Sequence, residues 1–200
     1  MSFVRVRHQD NLLWLILDRP PLNILNIEML DQLTAALREA VKDVKDVPRL
    51  VVITGAGERA FCAGVDINDH LDGREVEMLR AVGDNCAAFE ELRAKHVATV
   101  ALVKGFALGG GCELAALCDT VIAHEGAMFG LPEVNLAVFP PVAAVYFPTL
   151  IGYHASMRLA LTGEMITAGE ALRLGLVHQV LSSQQFLSDA EELITLLARS

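Results

Sequence analysis

Apolar and polar positions alternate over residues 3–8 and 12–17, which predicts two short strands joined by a hairpin at Gln9-Asp10-Asn11. Arg19-Pro20-Pro21-Leu22-Asn23 reads as a loop, because its prolines neither donate to a ladder nor continue a helix. The pattern then takes a helical period. Met29, Leu30, Leu33, Ala36, Leu37 and Val41 share one face of a helix that Asn26 caps and that is expected to reach Val44. Residues 50–54 form an unbroken apolar run, the mark of a strand covered on both faces. A loop over 55–68 follows, then a helix over 75–94 with Val76, Leu79, Val82, Cys86, Phe89 and Leu92 expected inward. A strand over 97–103 runs into a glycine-rich joint, and the joint opens a short apolar helix ending near Cys118. After a strand over 120–124 and a loop through 128–133, helices are predicted near 142–150, 154–161 and 168–174. A last strand over 176–181 precedes a helix from Gln185 onward, capped by Ser183. Strands thus alternate with helices, which favours one α/β domain with mostly parallel pairing.

The joint is Gly105-Phe106-Ala107-Leu108-Gly109-Gly110-Gly111-Cys112-Glu113-Leu114. Three consecutive glycines leave no Cβ to keep a ligand from the backbone, and the first amides of a helix have no intrahelical partner. Such a joint suits an oxygen that becomes negative during a reaction. Glu113 adds a group able to move a proton. A plainer reading is that the glycines only permit close packing. Two further segments stand out, Ala60-Phe61-Cys62-Ala63-Gly64-Val65-Asp66-Ile67 and Leu131-Pro132-Glu133. By themselves they are an apolar turn and a loop acid after a proline.

Composition narrows the classes. A hydrophobic fraction of 53% against 20% charged residues supports a sizeable core and opposes disorder. A net charge of −9 makes nucleic acid an unfit partner. The charged, alternating N-terminus is no signal peptide, and Lys104 and Glu113 break the richest apolar run, so no membrane partner is expected. Cys62, Cys86, Cys112 and Cys118 lack metal-site spacing and read as reduced thiols in the core of a cytoplasmic protein. The histidines show no ligand spacing either, so no metal is expected.

Taken together, residues 60–67, 105–114 and Phe129-Gly130-Leu131-Pro132-Glu133 resemble the three signature segments of the crotonase (enoyl-CoA hydratase/isomerase) superfamily, in order and spacing. Arg19-Pro20-Pro21-Leu22-Asn23-Ile24-Leu25-Asn26 fits as well, and the resemblance extends from about Phe3 to Leu181. It implies a spiral of ββα units with C-terminal helices, an acyl-CoA thioester as substrate, no prosthetic group, and assembly as a homotrimer or dimer of trimers. Position by position, it implies that the amides of Val65 and Gly110 form the oxyanion hole. Ala63, Val65, Asp66, Ile67, Asn68 and Gly110 would lie along the CoA moiety. Glu113 and Glu133 would be the acid and base that add water across the C2–C3 double bond.

Two departures qualify the resemblance. Where the family shows a Pro-Gly-x-Gly-Gly-Thr-like turn, this chain reads Phe139-Pro140-Pro141-Val142-Ala143-Ala144-Val145-Tyr146. That segment resembles the cyclic dienoyl-CoA hydratases, which act on cyclohexa-1,5-diene-1-carbonyl-CoA. Family members also continue about fifty residues farther, so a truncated C-terminal helical extension is expected. Within the family, isomerase or decarboxylase chemistry stays open. Outside it, Gly55-Ala56-Gly57-Glu58-Arg59-Ala60 matches a dinucleotide fingerprint, which requires that a helix open there. A non-catalytic oligomeric subunit is the remaining alternative. Arg19 reads as a solvated surface cation or a contact to a CoA phosphate, Tyr146 as a pocket wall or a packing residue, and His124 and His154 as structural.

Overall fold

In the computed structural model, which describes residues 2–43, 47–69, 73–182 and 185–199, the chain opens with an antiparallel hairpin. Its strands are β1 (Val4–Gln9) and β2 (Leu12–Leu17). Asp10 turns between them at φ 51°, a conformation its short polar side chain tolerates. Helix α1 (Ile27–Glu39) starts where Asn26 accepts a hydrogen bond from the amide of Met29. It buries Met29, Leu30, Leu33 and Leu37, with Ala36 half-buried. The helix closes at Glu39, and the expected end at Val44 lies outside the described residues.

Three ββα turns follow. They are β3 (Leu50–Gly55), β4 (Ala60–Cys62) and α2 (Glu75–Ala94); β5 (Ala98–Val103), β6 (Phe106–Leu108) and α3 (Gly110–Leu117); and β7 (Thr120–His124), β8 (Met128–Gly130) and α4 (Pro141–Leu150). A 3-10 turn, Pro132–Leu136, separates β8 from α4. The chain then forms α5 (Tyr153–Thr162), β9 (Met165–Thr167), α6 (Ala168–Leu174), β10 (Gln179–Leu181) and α7 (Phe186–Leu197). In each turn the first strand joins a six-stranded sheet ordered β1-β2-β3-β5-β7-β10, and the second joins a four-stranded sheet ordered β4-β6-β8-β9. Only the β1–β2 and β8–β9 pairs are antiparallel among the described residues.

The alternation within β3 divides the core. Val51 and Ile53 pack with α1, α2 and α3 in the main cluster, while Leu50 and Val52 face Phe186, Ala190 and Ile194 of α7. Both faces are therefore dry, as the unbroken apolar run requires.

Several expectations need correction. The short strands β4, β6, β8 and β9 fall where loops or no element were expected. On α2, Val76 and Leu79 are exposed at 78% and 52%, and the buried stripe is Met78, Ala81, Asn85, Ala88, Phe89 and Leu92. Asn85 enters the interior because its Nδ2 donates to Thr34 Oγ1 on α1, which rotates the helix from the face that hydrophobicity alone selects. The last strand begins at Gln179, since the amides of Leu176 and Val177 both close on the carbonyl of Ala171 behind α6. Ser183 lies outside the described residues, and Gln185 stands at the start of α7 without a side-chain cap. No helix opens at Gly55–Ala60: the chain turns directly into β4, and a Cβ on residue 55 would sit 2.5 Å from the carbonyl oxygen of Ala60. The dinucleotide fingerprint thus lacks the helix it needs.

Candidate active site

An inner strand of the small sheet, β6, delivers Gly109 at φ 52°, ψ −128° as the N-cap of α3, a conformation that favours glycine. The three glycines meet three different neighbours. A Cβ at 109 would lie 2.6 Å from Glu133 Oε1, and one at 110 would lie 2.8 Å from Val65 Cγ1. A Cβ at 111 would collide with the carbonyl oxygen of Cys62. The run therefore lets an acid, an amide-bearing loop and a strand end close on one helix start.

Val65 follows β4, beside β6 in the sheet. It makes an isolated parallel bridge with Leu25: the amide of Leu25 donates to the carbonyl of Gly64 at 2.8 Å, and the amide of Asp66 to the carbonyl of Leu25 at 2.7 Å. Both bonds use Val65's neighbours, which leaves its own amide out of the bridge. The backbone nitrogen of Val65 lies 3.6 Å from the Cβ position of Gly110. Neither the Val65 nor the Gly110 amide has a backbone acceptor among the described residues. Two neighbouring amides without acceptors form a site for a carbonyl oxygen that gains negative charge.

Glu113 leaves the first turn of α3 and is 6% exposed. Its Oε1 accepts hydrogen bonds from the amides of Val142 and Ala143, each at 2.8 Å, at the start of α4. Pro141 has no amide to offer, so these are the first free donors of that helix. Burial pushes the carboxyl up to about 7, the charge of Glu133 adds to the rise, and the two amides oppose it. Glu133, in the 3-10 turn after β8, is also raised by burial. Its Oε2 is buried with no hydrogen-bond partner among the described residues. The charge of Glu133 disfavours ionised Glu113, so a proton retained on one of the two acids relieves the other.

The remaining candidates divide. Ala63 spends its amide on the carbonyl of Leu22, at 3.0 Å. Ile67 is exposed at 49%, and Asn68 turns its amide and its side chain onto Asp66 Oδ1. Asp66 Oδ2 takes the Arg19 guanidinium at 2.6 Å, so neither ion projects freely. Arg19 is accordingly not a solvated cation; its side chain is 30% exposed and also donates to the carbonyl of Ile24. Tyr146 Oη donates to Glu90 Oε1 at 3.1 Å. His124 accepts from the amide of Gly126, and His154 stacks edge-on with Tyr153. Sequence reasoning missed the Val142–Ala143 cradle, whose only local signal is Pro140-Pro141 ahead of a helix. Cys86, expected in the core, packs against its edge half-buried, and its thiol is pushed up mainly by burial and further by the charge of Glu113.

Comparison with known proteins agrees with this architecture. The family model described as enoyl-CoA hydratase/isomerase matches residues 7–200. A crotonyl-CoA hydratase of Syntrophomonas wolfei is 36% identical over 191 residues, covering 92% of this chain and 71% of the relative. A 2,3-dehydroadipyl-CoA hydratase of Escherichia coli is 37% identical over 202 residues, covering 100% of this chain and 77% of its own. The crystal structure of an enoyl-CoA hydratase from Bacillus anthracis superimposes with a TM-score of 0.88 at 32% identity, covering 100% of this chain and 78% of that one.

Proposed function

The chain belongs to the enoyl-CoA hydratase/isomerase family, and from that premise we propose that it is a hydro-lyase adding water across a double bond conjugated to a CoA thioester. The observation that carries the reading is a buried carboxyl, Glu113, raised in part by the charge of the half-buried Glu133, beside two amides without backbone acceptors among the described residues. The thioester oxygen sits between the amides of Val65 and Gly110, with the backbone over 63–68 along the CoA arm. Glu113 is the anion, because two amides donate to its Oε1. Glu133 takes the acid role, since no donor among the described residues meets its Oε2 and its protonated form needs none there.

Glu113 takes a proton from water as the hydroxyl oxygen bonds to C3. The π electrons move to C2 and on to the thioester oxygen, whose charge the two amides offset; losing one such donor commonly costs about 3–4 kcal/mol. The Glu133 proton goes to C2, the enolate collapses to the thioester, and one water has been added. Exchange of one proton with solvent returns the pair to its starting state. CoA enters and leaves as part of the substrate, with no prosthetic group.

Residues 139–146, which include the Glu113 cradle, wall the acyl side, and a cyclic dienoyl thioester is the bulkier acyl group to test there. The exposed apolar residues Leu136, Val138, Phe139 and Val145 support burial in a homotrimer or a dimer of trimers. The test is a spectrophotometric screen of crotonyl-CoA and cyclohexa-1,5-diene-1-carbonyl-CoA with product mass, run on the wild type and on Glu133→Gln. Loss of absorbance with a gain of one water, reduced by at least about 100-fold in a folded Glu133→Gln, is expected. An unchanged rate in that variant would make the acids dispensable. Deuterium incorporation without water addition would point to double-bond migration instead.

A further inference from the structure

One buried-side ion pair is unused by the chemistry described so far. Arg19 reaches Asp66 Oδ2 at 2.6 Å through Nη2 and the carbonyl of Ile24 at 3.0 Å through Nη1. The same guanidinium therefore grips both partners of the bridge that flanks Val65: the segment carrying Leu25 and the residue just after Val65. The root of that grip is fixed as well. The Arg19 amide donates to Asn23 Oδ1, while Asn23, 1% exposed, donates through Nδ2 to the carbonyls of Ala56 and Ala60. The Phe3 ring lies under the guanidinium at 5.8 Å. On the other side, Asp66 Oδ1 accepts from the amide and the side chain of Asn68. The residues on either side of Val65 are thus clamped, and the Val65 amide between them has no backbone acceptor among the described residues.

We infer that Arg19 and Asp66 are positioning residues that aim the Val65 amide at the thioester oxygen. The inference rests on the hydratase reading of that amide. A planar fork satisfies two acceptors at once, which a lysine ammonium does not reproduce, so the pair sets direction as well as charge. Slackening it lets the amide swing while the Gly110 donor, carried by α3, stays in place.

The test uses Arg19→Met, Arg19→Lys and Asp66→Asn in the full chain, read by kcat and KM and by the infrared C=O stretch of bound butyryl-CoA. That saturated thioester cannot be hydrated, so its stretch reports polarisation by the amides without turnover. The expected result is a kcat about tenfold to 100-fold lower in Arg19→Met and Asp66→Asn, short of the loss for deleting a donor outright, with KM within about threefold. The C=O stretch should move back toward its value in free butyryl-CoA, with Arg19→Lys intermediate. Folded variants with unchanged kcat and an unchanged stretch would overturn the inference. So would loss of the cooperative melt in all three variants, which would make the pair a requirement of the fold. If wild type polarises butyryl-CoA but hydrates no enoyl-CoA, the hydratase reading fails while the positioning role remains readable in the stretch.

Discussion

Replacing Glu113 by glutamine should make the protein more stable and less active, and both effects can be sized. The carboxyl is held near 7 in the folded chain, against an ordinary value of 4.5. Between those values the folded state binds a proton that the unfolded chain has released. Stability therefore falls as pH rises through that window and stays low above it. At about 1.4 kcal/mol per pH unit, ionisation costs the fold up to about 3 kcal/mol at pH 8. Glutamine keeps an oxygen for the amides of Val142 and Ala143 and imitates the protonated acid without ever ionising. Glu113→Gln should thus match the wild type near pH 4.5 and exceed it by about 1–3 kcal/mol at pH 8, or roughly 3–10 °C in Tm for a chain of this size. Urea unfolding at both pH values, with thermal melts alongside, measures this, and hydration kinetics on the same samples should show a kcat lower by at least about 100-fold. A variant less stable than wild type at pH 8, or one with the same slope of stability against pH, would refute the placement of a raised, buried carboxyl at this position.

Other outcomes follow from the same geometry. Wild-type kcat should rise with pH as Glu113 deprotonates near 7, and this limb should vanish from the residual activity of Glu113→Gln in a pH–rate profile. Gly109→Ala puts a methyl against Glu133 Oε1 at a backbone φ of 52°, so steady-state assays should show kcat down at least tenfold, about 1.4 kcal/mol, and melts should show lower stability. Asn26→Ala removes the acceptor for the Met29 amide and should cost about 1 kcal/mol in urea unfolding without altering KM. Phe129→Ala empties a fully buried position in β8 and should cost about 3–5 kcal/mol by the same measurement.

The long elements were legible because local pattern and tertiary role agree in them. Residues 50–54 read as a doubly covered strand, and α3 had to open on its glycines. The short strands were not legible. Ala60–Cys62, Phe106–Leu108, Met128–Gly130 and Met165–Thr167 are three residues each, too brief for a period to register. Their pairing is set by neighbours distant in the chain. The face of α2 was hidden for a related reason, since a buried Asn85 is only affordable once Thr34 is opposite it. In the site, Val65, Gly110, Glu113 and Glu133 could be nominated from three motifs, and the structure brings all four around the start of α3. The amides that hold Glu113 come from thirty residues downstream, and the carboxylate that holds Arg19 from nearly fifty; no local pattern encodes either contact.

The small sheet has a geometric consequence. Strand β6 feeds the glycines, its neighbour β4 feeds the amide of Val65, and its other neighbour β8 feeds Glu133. Spacing between adjacent strands, about 4.8 Å, thereby acts as a ruler holding one donor to the left of the glycines and one acid to the right. Glu113 rises from the middle exit. Helix α4, which opens at Pro141 and carries the amides that hold Glu113, lies outside this sheet, so its exposed positions can change without disturbing that measure.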